Sequence, residues 1–192
     1  MILLMKDKSI CYAFPPLCGD NPHTLILGTF PSPLSRKKRE YYGNPRNQFW
    51  RLIFGVFDVT FDNPDYDMKK AVLFANGIAL CDVIAECEPD GALDSGIRNP
   101  VYRTELPGFI AEKGISKVFF NGNNACQFYR RGLGEIERCV LPSSSPANAR
   151  MRFDEKLLHW RESLHDEPES CAPDCYRNVS ETLIAFPDFL IP

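Results

Sequence analysis

Four short runs rich in apolar residues constrain the fold of this chain more than any other feature. They cover residues 24–28, 78–84, 117–122 and 137–141, and the first of them, TLILG, is an apolar run that a glycine ends. Runs of this length and composition are typical of strands that are buried on both faces of a parallel sheet. We therefore predict four strands, of which the first two are buried on both faces and the third has a polar end.

Segments with the apolar spacing of a helix alternate with these runs. In residues 46–57, the side chains of Phe49, Leu52, Ile53 and Val56 recur at helical intervals. Four further helices are predicted over residues 67–76, 103–113, 123–133 and 153–164. Strands that alternate with helices form right-handed βαβ units, so we expect an α/β fold with a parallel sheet under helices.

The 192 residues are the length of a single domain. Residues 1–23 are predicted to be an irregular lead-in, and residues 166–175 an acidic linker before a short apolar tail. No apolar run approaches the roughly 18 residues of a membrane span. The opening MILLM is too short for a signal peptide. We expect a cytoplasmic protein with no membrane partner and no obligate protein partner.

The eight cysteines do not form a metal-binding pattern, because no C-x-x-C pair is present. Buried thiols in a reducing compartment are the expected state. An alternative is that two cysteines near each end of the chain meet as a structural zinc site, namely Cys11, Cys18, Cys171 and Cys175.

The charge is unevenly distributed around a net value of −3. Residues 36–51 carry six basic side chains and one acidic one, whereas residues 54–105 carry ten acidic and four basic ones. One basic stretch on a mildly acidic protein fits an anionic partner that is contacted on one face. The alternative is a solvated charged face.

Polar and turn-forming residues follow the predicted strands, at residues 28–32, 81–83, 121–123 and 142–146. Ligands of open parallel sheets bind beyond the carboxyl ends of the strands, so a site is expected where these segments meet. The sequence lacks the G-x-S-x-G elbow, the phosphate loop and a G-x-G-x-x-G motif after the first strand. A small-molecule hydrolase that uses Ser32 or Ser35 with His23 stays an alternative, although no orienting acid is evident.

Three sequence blocks resemble the uracil-DNA glycosylase superfamily. They are GTFPSPLS at residues 28–35, YYGNPRNQFW at residues 41–50 and LPSSSPAN at residues 141–148. The nearest branch is the hypoxanthine-DNA (DNA-deoxyinosine) glycosylases, and the resemblance covers a core of about residues 22–165. It implies a three-layer α/β/α sandwich around a central four-stranded parallel sheet.

The resemblance also implies roles for individual residues. Many relatives carry a carboxylate or an amide just before the first proline, where this chain has Phe30, so the water-activating group is expected to be Asn47. Base binding is implied for Phe30, Asn121 and Gly28. Contacts with the DNA backbone are expected from the second motif and from Ser32 with the basic run, namely Ser143, Ser144, Ser145, Asn148, Ser32, Arg36, Lys37, Lys38 and Arg39.

The implied activity is removal of hypoxanthine or uracil from DNA after the nucleotide is flipped out of the duplex. An asparagine can pair with an adjacent C=O and N–H, an edge that both bases present. We expect a monofunctional enzyme without a cofactor or metal, whose partner is DNA containing a deaminated base. The alternative is a catalytically inactive nucleic-acid-binding module of the same fold.

Overall fold

The computed structural model describes residues 10–89, 91, 94–134 and 139–165. Its central element is a four-stranded sheet in which every neighbouring pair is parallel, with strand order β3-β2-β6-β7. The strands are β2 (Thr24–Gly28), β3 (Ile78–Asp82), β6 (Lys117–Asn121) and β7 (Val140–Leu141). The parallel sheet predicted from the apolar runs is thus confirmed.

Side chains of alternate residues in β2 enter two separate apolar layers. Ile26 packs on one face of the sheet with residues of α2 (Phe49–Val56), α3 (Tyr66–Ala75) and α6 (Phe153–His165). Leu25 and Leu27 pack on the other face with α4 (Leu106–Glu112) and α5 (Asn123–Leu133). The fold is therefore the three-layer α/β/α sandwich that the resemblance implied.

A second sheet was not predicted from the sequence. Strands β1 (Cys11–Tyr12), β4 (Ile84–Pro89) and β5 (Ile97–Tyr102) form an antiparallel sheet of order β1-β4-β5. The prediction of one strand over residues 78–84 is wrong, because the chain leaves the parallel sheet after Asp82 and enters β4. The prediction that residues 1–23 are irregular is also wrong where β1 pairs with β4.

Two helices at the carboxyl edge of the sheet differ from the sequence-based prediction. The six-residue helix α1 (Pro33–Lys38) was not predicted, and Ser32 begins it by accepting the N–H of Ser35. Helix α2 begins at Phe49 rather than at residue 46, since residues 41–48 form turns and irregular structure, from which Tyr41, Tyr42 and Asn47 line a cavity. Residues 166–192, which include the predicted linker and tail, lie outside the described part of the chain.

Candidate active site

A cavity of about 590 Å³ lies at the carboxyl ends of the parallel strands. Its walls include the end of β2, the end of β3, the end of β6 and the serine-rich loop that follows β7. Its sides are closed by Tyr41, Tyr42 and Asn47, and by Gly91, Asp94 and Ser95 between β4 and β5. The four chain segments that were predicted to lie at this edge therefore do meet around one space.

The floor of the cavity requires a glycine at the end of β2. A Cβ atom on Gly28 would overlap the carboxyl group of Asp82 and would lie 3.2 Å from the hydroxyl of Tyr42. Two residues on, Phe30 lines the cavity, and the guanidinium of Arg36 lies over its ring at 5.4 Å from the centroid. The ring of Phe30 is thus positioned as an aromatic wall beside the floor.

Asn47 lies in the cavity wall directly before α2. Its side-chain Oδ1 accepts the backbone N–H of Phe49 at 2.9 Å, and its backbone N–H donates to the carbonyl of Asn44 at 2.9 Å. Because a carbonyl oxygen has two lone pairs, Oδ1 keeps one acceptor position. The hydrogen bond from Phe49 therefore fixes the direction in which this amide can hold a further donor.

Asn121, the last residue of β6, is clamped by Ser144. Its Nδ2 donates to Oγ of Ser144 at 2.8 Å, and its Oδ1 accepts the Ser144 backbone N–H at 2.8 Å. A backbone N–H can only donate, so this contact also fixes which end of the amide is oxygen. The amide of Asn121 is oriented before any ligand binds.

Tyr42 links the aromatic core to the two strand ends. Its ring stacks on Phe49 with centroids 3.8 Å apart and an interplanar angle of 12°, and its hydroxyl lies at the end of β2, 3.2 Å from the position that a Cβ atom on Gly28 would take. Burial, followed by the nearby charge of Asp82, raises the pKa of Tyr42 well above its ordinary value, so its hydroxyl keeps its proton.

A buried lysine holds the serine-rich loop against the segment that carries Asn47. Lys156 of α6 is 1% exposed, and its Nζ donates to Oε1 of Gln48 at 2.9 Å and to the carbonyl of Asn148 at 2.8 Å. Within the loop, the side-chain amide of Asn148 donates to the carbonyl of Ser143 at 3.2 Å. Burial lowers the pKa of Lys156.

The structure divides the residues predicted to contact the DNA backbone. Those that line the cavity are Ser32, Arg36, Ser143, Ser144, Ser145 and Asn148. Lys37, Lys38 and Arg39 are exposed and belong to the outer surface at the end of α1. A phosphate contact by Ser144 does not fit this geometry, because Ser144 is 0% exposed and holds Asn121.

The sequence-based reasoning missed three residues of the site. Asp82 was noted at a strand end without a role, although an acidic residue that ends a buried apolar strand itself indicates a functional site. Tyr42 lies in the family-like block of residues 41–50 but was given no role of its own. Lys156 gave no signal, since a lysine in an amphipathic helix is ordinarily a surface residue.

Neither metal ligands nor a membrane span is found among the residues that the structure describes. No group of three or more His, Cys, Asp or Glu side chains in this part could hold a metal ion. No described helix is long and apolar enough to cross a bilayer. Cys171 and Cys175, two of the four cysteines in the alternative zinc site, lie outside the described residues.

Two curated proteins are similar to this chain over most of their length. A hypoxanthine DNA glycosylase of Methanosarcina acetivorans is 37% identical over 143 residues, which are 71% of this chain and 87% of that protein. A hypoxanthine DNA glycosylase of Methanosarcina barkeri is 33% identical over 157 residues, which are 79% of this chain and 96% of that protein. No protein-family model matches the chain.

A solved structure has the same fold. The solution NMR structure of a proposed uracil DNA glycosylase from Methanosarcina acetivorans aligns with a TM-score of 0.63 at 33% sequence identity. The alignment covers 82% of this chain and all of that one. With relatives above 30% identity matched over most of their length, the chain belongs to the hypoxanthine DNA glycosylase family.

Proposed function

We propose that the protein excises deaminated bases, hypoxanthine first among them and uracil second, from DNA by hydrolysis of the N-glycosidic bond. The observation that carries this proposal is the convergence of Asn47, Phe30 and an oriented Asn121 around one cavity at the sheet edge. Both curated relatives are named for activity on hypoxanthine in DNA.

Base recognition is assigned to the ring of Phe30 and to the side-chain amide of Asn121. Phe30 stacks on the extruded base, and Asn121 pairs with the adjacent C=O and N–H that hypoxanthine and uracil share. Adenine and cytosine present an amine beside an unprotonated ring nitrogen, which leaves the amide unmatched. A site built to match one polar edge rejects the other edge strongly, because its own buried groups are then left without partners.

Asn47 holds the attacking water. Its Oδ1 keeps one acceptor position beside the N–H of Phe49, and a water bound there is directed rather than deprotonated. An amide does not ionise near neutral pH, so this role suffices only when the bond to the base is largely broken and the sugar is already cation-like. The developing charge on the base then needs stabilisation by donors in the cavity.

The hydrolysis is proposed to be monofunctional and independent of metal. Cleavage of the strand would need an amine that forms a Schiff base with the sugar. No lysine belongs to the cavity lining in the described part of the chain, and the ammonium of Lys156 is engaged with Gln48 and Asn148 beneath the loop. This arrangement favours an oriented water over an amine nucleophile.

DNA is proposed to bind across the mouth of the cavity, with the serine-rich loop and Ser32 beside the extruded nucleotide. Arg36, Lys37, Lys38 and Arg39 supply positive charge at the end of α1, next to Ser32. Contacts of this kind position the duplex without recognising its sequence.

The test is a base-release assay on duplexes that carry a single hypoxanthine, uracil, xanthine or mispaired thymine. We expect abasic sites in intact strands for hypoxanthine or uracil, in the presence of a chelator as well as without it. Borohydride should trap no covalent enzyme–DNA adduct. DNA binding without release of any of the four bases would favour the inactive binding module, and a trapped adduct or loss of activity on chelation would contradict the proposed chemistry.

A further inference from the structure

Asp82 occupies a central position in the cavity for which the proposed mechanism has no role. It is the last residue of β3, pairs in register with Gly28 and is 4% exposed. Since Leu27 pairs with Phe120, the side chains of Asp82 and Asn121 flank Gly28 on the same face of the sheet. The carboxyl group of Asp82 fills the space that the missing Cβ of Gly28 leaves.

The carboxyl group of Asp82 lacks the partners that a buried carboxylate needs. Its Oδ2 is buried and has no hydrogen-bond partner among the described residues. The nearby guanidinium of Arg103 is used elsewhere, because it donates to the Asp82 backbone carbonyl, to the carbonyl of Phe14 and to the carboxylate of Glu105. An unpaired buried carboxylate oxygen is costly, so the protonated form is favoured until a ligand supplies a partner.

The groups around Asp82 act on its proton in opposite directions. Burial raises its pKa, Arg103 after β5 lowers it and Asp94 in the turn before β5 raises it, and the net result is a pKa of about 7. The other titratable side chains that face it are neutral at this pH, since burial raises the pKa of each; they are Tyr41, Tyr42 and Cys81. In its neutral form, the carboxylic acid of Asp82 can donate a hydrogen bond into the cavity. The carboxylate of Asp94, which also lines the described part of the cavity, already accepts hydrogen bonds from Thr29 and Asn124.

We propose that Asp82 is a further catalytic residue, an acid that donates a hydrogen bond to an acceptor atom of the extruded base and gives up its proton as the base leaves. This inference rests on the proposed glycosylase function. Asn47 cannot accept a proton, so departure of the base is the step that needs help, and a donor at the base supplies it.

The proposed step conserves atoms and charge. The C1′–N bond breaks with its electron pair on the base nitrogen, and the proton of the Asp82 carboxyl passes to the base. Oxygen of the oriented water bonds to C1′, and that water releases one proton to solvent. Asp82, left as a carboxylate, regains a proton from solvent, so the net reaction is hydrolysis.

The test compares the pH dependence of single-turnover excision for the wild type, Asp82→Asn and Asp94→Asn on a hypoxanthine duplex. The wild-type rate should fall as pH rises through about 7, where Asp82 loses its proton. Asp82→Asn keeps the size and a donor but has no proton to transfer, so its rate should be lower by roughly 100-fold and lack this fall. Asp94→Asn removes a charge that raises the pKa of Asp82, so the fall should persist and move to lower pH.

Two results would overturn the role of Asp82. The first is a wild-type excision rate that rises with pH through this range, and this measurement needs no variant. The second is a folded Asp82→Asn protein whose excision rate has the same value and pH dependence as that of the wild type. Circular dichroism and thermal unfolding establish that the variants are folded. If the wild type releases no base from any deaminated duplex, the proposed function itself is contradicted. If it releases base but shows either of the two results above, only the catalytic role of Asp82 is contradicted.

Discussion

Lys156 Nζ lies 2.9 Å from Oε1 of Gln48, and this hydrogen bond joins α6 to the segment that carries Asn47. The same ammonium also holds the carbonyl of Asn148 in the serine-rich loop. One buried charge outside the cavity lining therefore joins the two segments, in addition to the hydrogen bond from the Gln48 backbone N–H to the Ser144 carbonyl at 3.0 Å. The relative positions of Asn47 and the loop should depend on this lysine.

Lys156→Met should separate activity from stability. Loss of the ammonium leaves two acceptors unpaired, but it also removes the cost of burying an uncompensated charge, so the free energy of unfolding should change by less than about 1 kcal/mol. Small displacements of positioned groups should lower the excision rate by roughly 10- to 100-fold. Urea unfolding and single-turnover rates measure the two effects, with the exposed Lys113→Met as control. A Lys156→Met protein of wild-type rate would show that the bridge does not position the site.

Asn121→Asp should change which base is accepted without disturbing the clamp. The Ser144 N–H can still donate to one carboxylate oxygen, and the Ser144 hydroxyl can turn to donate to the other. We expect hypoxanthine excision to be lost and slow cytosine excision to appear, because the donor toward the base becomes an acceptor. Competition assays with both bases measure this, and Asn63→Asp, on an exposed turn, controls for the added charge. An unchanged base preference would remove Asn121 as the residue that recognises the base.

The exposed part of the basic run should contribute affinity but no specificity. Replacing Lys37, Lys38 and Arg39 with alanine should reduce the slope of log affinity against log salt by up to about 0.9 for each DNA phosphate that these side chains neutralise. The affinity for damaged duplexes and the affinity for undamaged duplexes should fall by the same factor. Arg36 is left in place because it donates to the Pro31 carbonyl at 2.7 Å and covers Phe30. If titrations at several salt concentrations give the wild-type slope, these side chains form only a solvated face.

Asp82 should make stability depend on pH. Its pKa is raised from 3.8 to about 7 in the folded protein. Its stabilising contribution to the free energy of unfolding is therefore fully present below pH 3.8 and is lost as pH rises through about 7. Between about pH 5 and 7.5, the free energy of unfolding should therefore fall by roughly 2 to 3 kcal/mol through this group alone. Asp82→Asn should lack this component. Equal pH dependence of urea unfolding in both proteins would mean that Asp82 titrates normally in the folded state.

Much of the fold could be predicted because burial on both faces leaves a direct signal in a strand. The boundaries of β2, residues 24–28, and of α5, residues 123–133, agree with the prediction, because Gly28 ends the apolar run of β2, and Gly122 and Gly134 flank the amphipathic segment of α5. The antiparallel sheet was missed because β5 carries Arg98, Asn99 and Pro100 and half of its residues are exposed. A half-exposed strand with these residues lacks the apolar pattern that identifies a buried one.

The site could be predicted only where a motif carries it. Phe30 and Asn47 belong to sequence blocks that resemble a known family, Asn121 ends a predicted strand where that family has an asparagine, and the structure brings all three to one cavity. The clamp between Asn121 and Ser144, and the bridge from Lys156 to Gln48, join residues 23 and 108 positions apart. Contacts of that sequence separation depend on the packing of whole elements, which composition and spacing do not encode.

The assignment of Asn47 is the centre of the proposed mechanism, and its alanine variant tests it most sharply. Asn44→Ala is the matched control, because Asn44 also caps a neighbouring N–H, that of Arg46, at 3.0 Å. Asn47→Asp keeps an acceptor for both Phe49 and the water, so its rate should lie closer to the wild type than that of Asn47→Ala.

The decisive measurement is the amount of free hypoxanthine released from a duplex in a single turnover by the wild type and by Asn47→Ala, at protein concentrations that saturate binding. The wild type should release the base and leave an unbroken abasic strand. Asn47→Ala should bind the duplex with near wild-type affinity but release the base more slowly by about 100-fold or more, the cost of losing one oriented polar group. A wild type that releases no hypoxanthine, or an Asn47→Ala variant that keeps most of the wild-type rate, would contradict the account.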